Sequence, residues 1–149
     1  MESLPQELPK DLKITIKSTS LVHPPPLTLE RRRYMFLSNI DQLFNFDMKT
    51  LHFFSAVESF PPSVICDVIE QALQQLLVPY DFLAGRLSPD PVKGRLVVDC
   101  NGVGAGFVIA LSEMTLKEIG ELTYPSPAFK DLVPTRSVKG LEDWPLIVI

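Results

Sequence analysis

Few residues of this 149-residue chain have the type and spacing that chemistry needs. Its two histidines are His23, just before Pro24-Pro25-Pro26, and His52, which alternates with apolar neighbours in Leu51-His52-Phe53-Phe54. A general base works in company with an orienting partner, and a metal centre collects three or four ligands at close spacing. Neither histidine has a carboxylate, cysteine or second histidine at such spacing, so both are read as locally satisfied side chains, and no metal site is expected. Cys66 and Cys100 form no Cys-x-x-Cys pair and are read as two reduced, buried thiols. There is no Gly-x-Ser-x-Gly elbow and no phosphate loop of the Gly-x-x-x-x-Gly-Lys type.

Three further groups invite a chemical reading and yield a plainer one. Gly102-Val103-Gly104-Ala105-Gly106 resembles a nucleotide-binding turn. A pyrophosphate site, however, needs those glycines between a strand and a helix. A strand pattern follows instead, so the glycines are read as hairpin punctuation. Arg31-Arg32-Arg33 could hold phosphate but lies in a polar connection and reads as a solvated loop. Trp144, between Asp143 and Pro145, reads as a packing anchor at a strand start.

The elements that would have to position such residues follow from composition and periodicity. Hydrophobic residues make up 46% of the chain, enough for one core, and the length holds one domain. Fourteen basic against eighteen acidic residues give a net charge of −4, which argues against nucleic acid as a partner. No apolar run approaches the ~18 residues of a membrane helix, and residues 107–111 typify the short runs present. The opening Met1-Glu2-Ser3-Leu4-Pro5 lacks the apolar stretch of a secretory leader, so a cytoplasmic location is expected.

Residues 1–10 read as a loose lead-in. From residue 11, Leu12, Ile14 and Ile16 alternate with Lys13, Thr15 and Lys17, the period of a strand with one buried face, ending at the prolines. Residues 27–35 form a polar connection, 36–46 a loop or short strand, and 51–56 a compact aromatic strand. A helix is predicted over 63–78. Ile65, Val68, Ile69, Ala72, Leu73, Leu76 and Leu77 share one stripe, with Ser63 as N-cap and Pro79 as terminator. Strands are predicted at 95–100 and 105–111, joined by the glycines as a hairpin. Thr115 and Glu118 then form a capping box, and Met114 with Ile119 a hydrophobic staple, at the start of a short helix. Residues 123–145, with four prolines, read as irregular. The last four residues, Leu146-Ile147-Val148-Ile149, form a strand-like run without a polar terminator, which suggests a piece of something longer and a surface for self-association.

The order of these segments resembles the N-terminal part of the plant BAHD acyltransferases. The similar stretches are Leu21-Val22-His23-Pro24, Phe36-Leu37-Ser38-Asn39-Ile40-Asp41-Gln42, and residues 72–87 (ALQQLLVPYDFLAGRL). Residues 94–107, with Asp99, Gly106 and Phe107, follow, then Asp131-Leu132-Val133-Pro134 and residues 145–149. The resemblance implies an α+β, chloramphenicol-acetyltransferase-like N-terminal domain, a mixed sheet with helices, incomplete over residues 11–149. It implies acyl transfer from acyl-CoA, the co-substrate of the family, to a small alcohol or amine, as in the hydroxycinnamoyl transferases. No other cofactor is implied. It also places Ser38 and Asp41, with Phe44 and Phe46 in the following loop, at the acceptor. The family's catalytic His-x-x-x-Asp and its Asp-Phe-Gly-Trp-Gly do not occur: His23 is followed four residues on by Leu27, and His52 by Ala56. No catalytic residue is therefore assigned, and the segment is expected to be inactive alone. A module of this ancestry that binds a small molecule or a protein without catalysis is the alternative.

Overall fold

The computed structural model describes residues 11–26, 33–43, 46–120, 127–134 and 143–149. The lead-in at 1–10, Arg31, Arg32, Phe44 and parts of the irregular stretch lie outside the described residues.

The alternating segment becomes strand β1, Ile14–Val22, broken by a bulge between Ile16 and Ser18. It pairs antiparallel with β5, Ala105–Ser112, over its whole length, from Ile14 opposite Ser112 to Val22 opposite Ala105. A second sheet has the order β2-β4-β3, with β2 at Arg33–Phe36, β3 at Arg86–Pro89 and β4 at Leu96–Cys100, both neighbours antiparallel to β4. Among the described residues the chain is thus α+β with two small sheets, where a mixed sheet was expected.

The predicted hairpin across Gly102–Gly104 does not form. The hairpin is β3–β4, closed by the turn in which Asp90 accepts from the amides of Val92 and Lys93. The glycines instead carry the chain from one sheet to the other. At the far edge of β5, Gly106 forms a parallel bridge with Val148, and Ile149 exchanges backbone bonds with Gly106 and Val108. Residues 147–149 therefore extend the β1–β5 sheet.

Helix α2, Pro62–Leu76, matches the predicted period and stops before Pro79. Its start differs: Pro61 is the N-cap with no side-chain bond, and Pro62 stands at the first helical position, where a missing N–H costs nothing. Only the C-terminal end of the stripe is covered. Leu73 and Leu77 are buried with Val22, Ala84, Ala105 and Phe107 in the main core, whereas Ile65, Val68 and Ile69 stay exposed. The segment 36–46 resolves into the end of β2 and the one-turn helix α1, Asn39–Leu43. Residues 51–56 form no strand. Phe53 packs its ring 5.5 Å from that of Phe129, and Phe54 is exposed. Helix α3, Leu116–Ile119, begins with the complete Thr115–Glu118 capping box, and Ile119 anchors a second core with Leu12 and Ala128, against which Met114 packs. Cys66 and Cys100 are free thiols, and only Cys100 is buried. Among the described residues no helix is long and apolar enough to cross a membrane.

Candidate functional site

The Ala84-Gly85-Arg86 block is the joint between the two sheets. A 3₁₀ turn at Asp81–Ala84 delivers the chain to β3 and leaves Ala84 fully buried. Gly85 follows with β backbone angles, so its need for glycine is steric. A Cβ there would sit 2.4 Å from the Asp99 carbonyl oxygen and 2.9 Å from that of Phe82. Arg86 is 5% exposed. Its Nη1 donates to the carbonyls of Gly85 and Gly104, each at 2.7 Å, while the Gly104 amide donates to the Ala84 carbonyl at 2.9 Å. A buried charge is tolerable when strong acceptors surround it. Burial still lowers the Arg86 pKa, and the charge of Asp143 works in the opposite direction. Gly104 itself has φ of 113° with the Val22 carbonyl 2.9 Å from where a Cβ would lie, which explains a glycine at the crossing point.

Beside this joint opens a cleft of about 650 Å³. Its walls are the outer face of β1 and β5 (Ile16, Val108), Val148, Leu132 and Trp144, with Arg86 buried beneath and Asp131, Asp143 and His23 also lining it. Trp144 thus lines a cleft rather than serving solely as a packing anchor. A smaller hollow of about 320 Å³ lies between the end of β1 and α2, with His23, Asp67 and Glu70 among the residues that line it. His23 is exposed, with Nδ1 3.4 Å from the Gly102 carbonyl. His52 is exposed and lines neither cleft. Among the described residues no group of histidine, cysteine or acidic side chains could hold a metal ion. Among the described residues the arrangement offers apolar surface and the buried cation of Arg86, and no histidine is hydrogen-bonded to a carboxylate.

Two of the four residues read as acceptor-facing meet each other. The Ser38 amide donates to Asp41 Oδ2 at 2.8 Å, and the Asp41 amide donates to Ser38 Oγ at 3.3 Å, so the pair caps α1. Bonds from the Ser38 hydroxyl and then its amide hold the Asp41 carboxyl below its ordinary range. Phe46 is exposed, and Phe44 lies outside the described residues. The role of Arg86 as the joint was not legible in the residue order, although a lone charge inside the apolar run 82–87 was a signal for it.

A family model described as the Transferase family matches residues 12–149. The chain belongs to this family, the BAHD acyltransferases. It is 51% identical over 146 residues to Acyltransferase GLAUCE of Arabidopsis thaliana, covering 97% of this chain and 32% of that protein. It is 39% identical over 116 residues to omega-hydroxypalmitate O-feruloyl transferase of Arabidopsis thaliana, covering 78% and 24%. With shikimate O-hydroxycinnamoyltransferase of Nicotiana tabacum it shares 31% over 140 residues, covering 93% and 31%. The chain thus spans between about a quarter and a third of the length of these curated relatives. The Ala84-Gly85-Arg86 joint lies within the stretch 72–87 that carries the resemblance, and in this chain its bonds to Gly104 tie the two sheets together.

Proposed function

We propose that these residues form the N-terminal framework of an enzyme that moves an acyl group from acyl-CoA to a small alcohol or amine, built on a chloramphenicol-acetyltransferase-like domain in the cytoplasm. The observation that carries this reading is the 51% identity to Acyltransferase GLAUCE across 97% of the chain. In this reading the segment supplies the sheets and the Arg86 joint, and Ser38, Asp41, Phe44 and Phe46 build one side of the acceptor pocket. The general base, a His-x-x-x-Asp histidine that removes the acceptor proton as the oxygen or nitrogen attacks the thioester, comes from outside these 149 residues. Such a base contributes ~10²–10⁴ in rate, so the segment alone is inactive. Self-association through residues 147–149, which add to the β5 edge, belongs to the same reading.

The test is a chimera in which this chain replaces its matching stretch of Acyltransferase GLAUCE. Incubated with a panel of acyl-CoA donors, hydroxycinnamoyl-CoA and fatty acyl-CoA among them, and alcohol or amine acceptors, it should release CoA thiol and form acylated acceptor. A chimera that folds with a cooperative melt, yet transfers nothing that the parent transfers, would contradict the reading.

A further inference from the structure

Arg86 has donors to spare. Its Nη1 is engaged with the carbonyls of Gly85 and Gly104, while among the described residues Nη2 and Nε meet no acceptor. Among those residues no buried side-chain nitrogen or oxygen is left without a partner, so the unused N–H groups are not sealed inside the protein. Arg86 lines the 650 Å³ cleft, and this is where a side chain otherwise buried brings those donors to the surface.

The charges around it select what can bind. Asp131 and Asp143 line the same cleft, and the charge of Asp143 acts on the guanidinium although, among the described residues, the two form no ion pair. With His23 counted as neutral, the lining carries one positive charge and two negative ones. A carboxylate or phosphate drawn to Arg86 would meet the aspartates, and an ammonium drawn to the aspartates would meet Arg86. A hydroxyl suits both signs, because its oxygen accepts from a guanidinium and its proton can go to a carboxylate. The other walls are largely apolar, Trp144 adds a half-buried indole, and a cleft of this volume is in the range of small-molecule sites.

We infer that this cleft is a binding site for an uncharged, apolar alcohol, with the hydroxyl between Arg86 and Asp143 and the hydrocarbon body against Val108 and Trp144. Neither Ser38 nor Asp41 lines it. The site is built from this chain alone and requires neither an acyl donor nor a general base, so it goes beyond the acyl-transfer reading and stands or falls separately from it.

Trp144 is the single tryptophan of the chain, so its fluorescence reports on the cleft. Titrated with octanol, the 149-residue chain should show a saturable blue shift of that emission. Octanoate and octylamine, of the same chain length, should need about tenfold higher concentrations, since each sets a like charge against part of the lining. Octyl methyl ether accepts but cannot donate, and should bind about fivefold more weakly for want of one hydrogen bond. Arg86 is left intact in these tests because it joins the sheets. Asp143→Asn removes a negative charge at an exposed position and should bring octanoate to within about twofold of octanol. Val108→Phe, at a half-buried position, fills the cleft and should abolish the octanol response while the far-ultraviolet circular dichroism is retained. Octanoate binding to the wild-type chain as tightly as octanol would make this an anion site and overturn the proposal. A blue shift that never saturates, or that persists in a folded Val108→Phe, would overturn it as well, because the alcohol would then be partitioning onto the surface at large.

Discussion

Arg86 and Gly104 are joined in a closed exchange. The guanidinium of Arg86 donates to the Gly104 carbonyl at 2.7 Å, and the Gly104 amide donates to the carbonyl of Ala84, two residues before Arg86. One partner opens β3 and the other precedes β5, so this exchange links the three-stranded sheet to the β1–β5 sheet. A chain that switches sheets at a glycine turn gains no ladder bonds across the switch. The arginine supplies the missing connection.

Arg86→Ala should therefore destabilise the fold by about 2–4 kcal/mol, since it leaves two buried carbonyls without their charged donor. Arg86→Lys should recover only part of this, because the shorter side chain does not bring its ammonium to the point where Nη1 meets both carbonyls. Urea unfolding followed by far-ultraviolet circular dichroism measures both, and equal midpoints for wild type and Arg86→Ala would refute the joint.

Gly85→Ala tests the same joint from the backbone. The atoms that a new Cβ would strike are carbonyl oxygens of Asp99 and Phe82, which cannot rotate away as side-chain ends can. The variant should lose about 1–3 kcal/mol by overpacking, and the β3–β4 amides should exchange faster than those of β1. A neutral substitution would show that the close approach is absent in solution.

Much of this was legible in the sequence wherever the determining contacts are local. The capping box at Thr115 and Glu118 needs residues three apart, and α2 is written in its own period. The failures are non-local. Gly102 and Gly104 mark a turn correctly but say nothing of which strand β5 will meet, and β5 meets β1. The aromatic run 51–56 has strand composition, yet a strand exists only with a ladder partner, and among the described residues none pairs with it. Likewise β2 arises inside a polar connection because β4 offers it an edge, and Gln42 looks like a surface glutamine until Leu96 is placed beside it. For the candidate site, the motif letters were visible and the roles were not.

Thr115→Ala should cost about 1 kcal/mol by removing the cap. The Glu118 half of the box adds a pH signature. Bonds from the Thr115 amide and then its hydroxyl hold the Glu118 carboxyl below its ordinary value of 4.5. A carboxyl whose folded pKa is depressed stabilises the fold above the unfolded pKa and loses that contribution as pH falls through the folded value. The stability difference between wild type and Glu118→Gln should accordingly be constant near neutral pH and shrink as pH falls below 4.5. Chemical denaturation across that range reads it directly, and a difference that grew toward acid would have the wrong sign.

The two thiols should react in sequence. Cys66 is half-buried on α2, while Cys100 is buried at the end of β4, where desolvation foremost raises its pKa. An aromatic disulfide reagent should modify one thiol per native chain quickly and the second only on unfolding. Cys66→Ala should abolish the fast phase. A fast phase that survives this change would place Cys100 at the surface.

The division of labour between framework and base is tested most directly by free CoA thiol released from hydroxycinnamoyl-CoA in the presence of alcohol acceptors, measured side by side for the 149-residue chain and for its chimera with Acyltransferase GLAUCE. The expected result is release at the buffer rate from the chain alone and sustained turnover from the chimera. Turnover by the chain alone that disappears on His23→Ala or His52→Ala would contradict it, because a base would then reside within these residues.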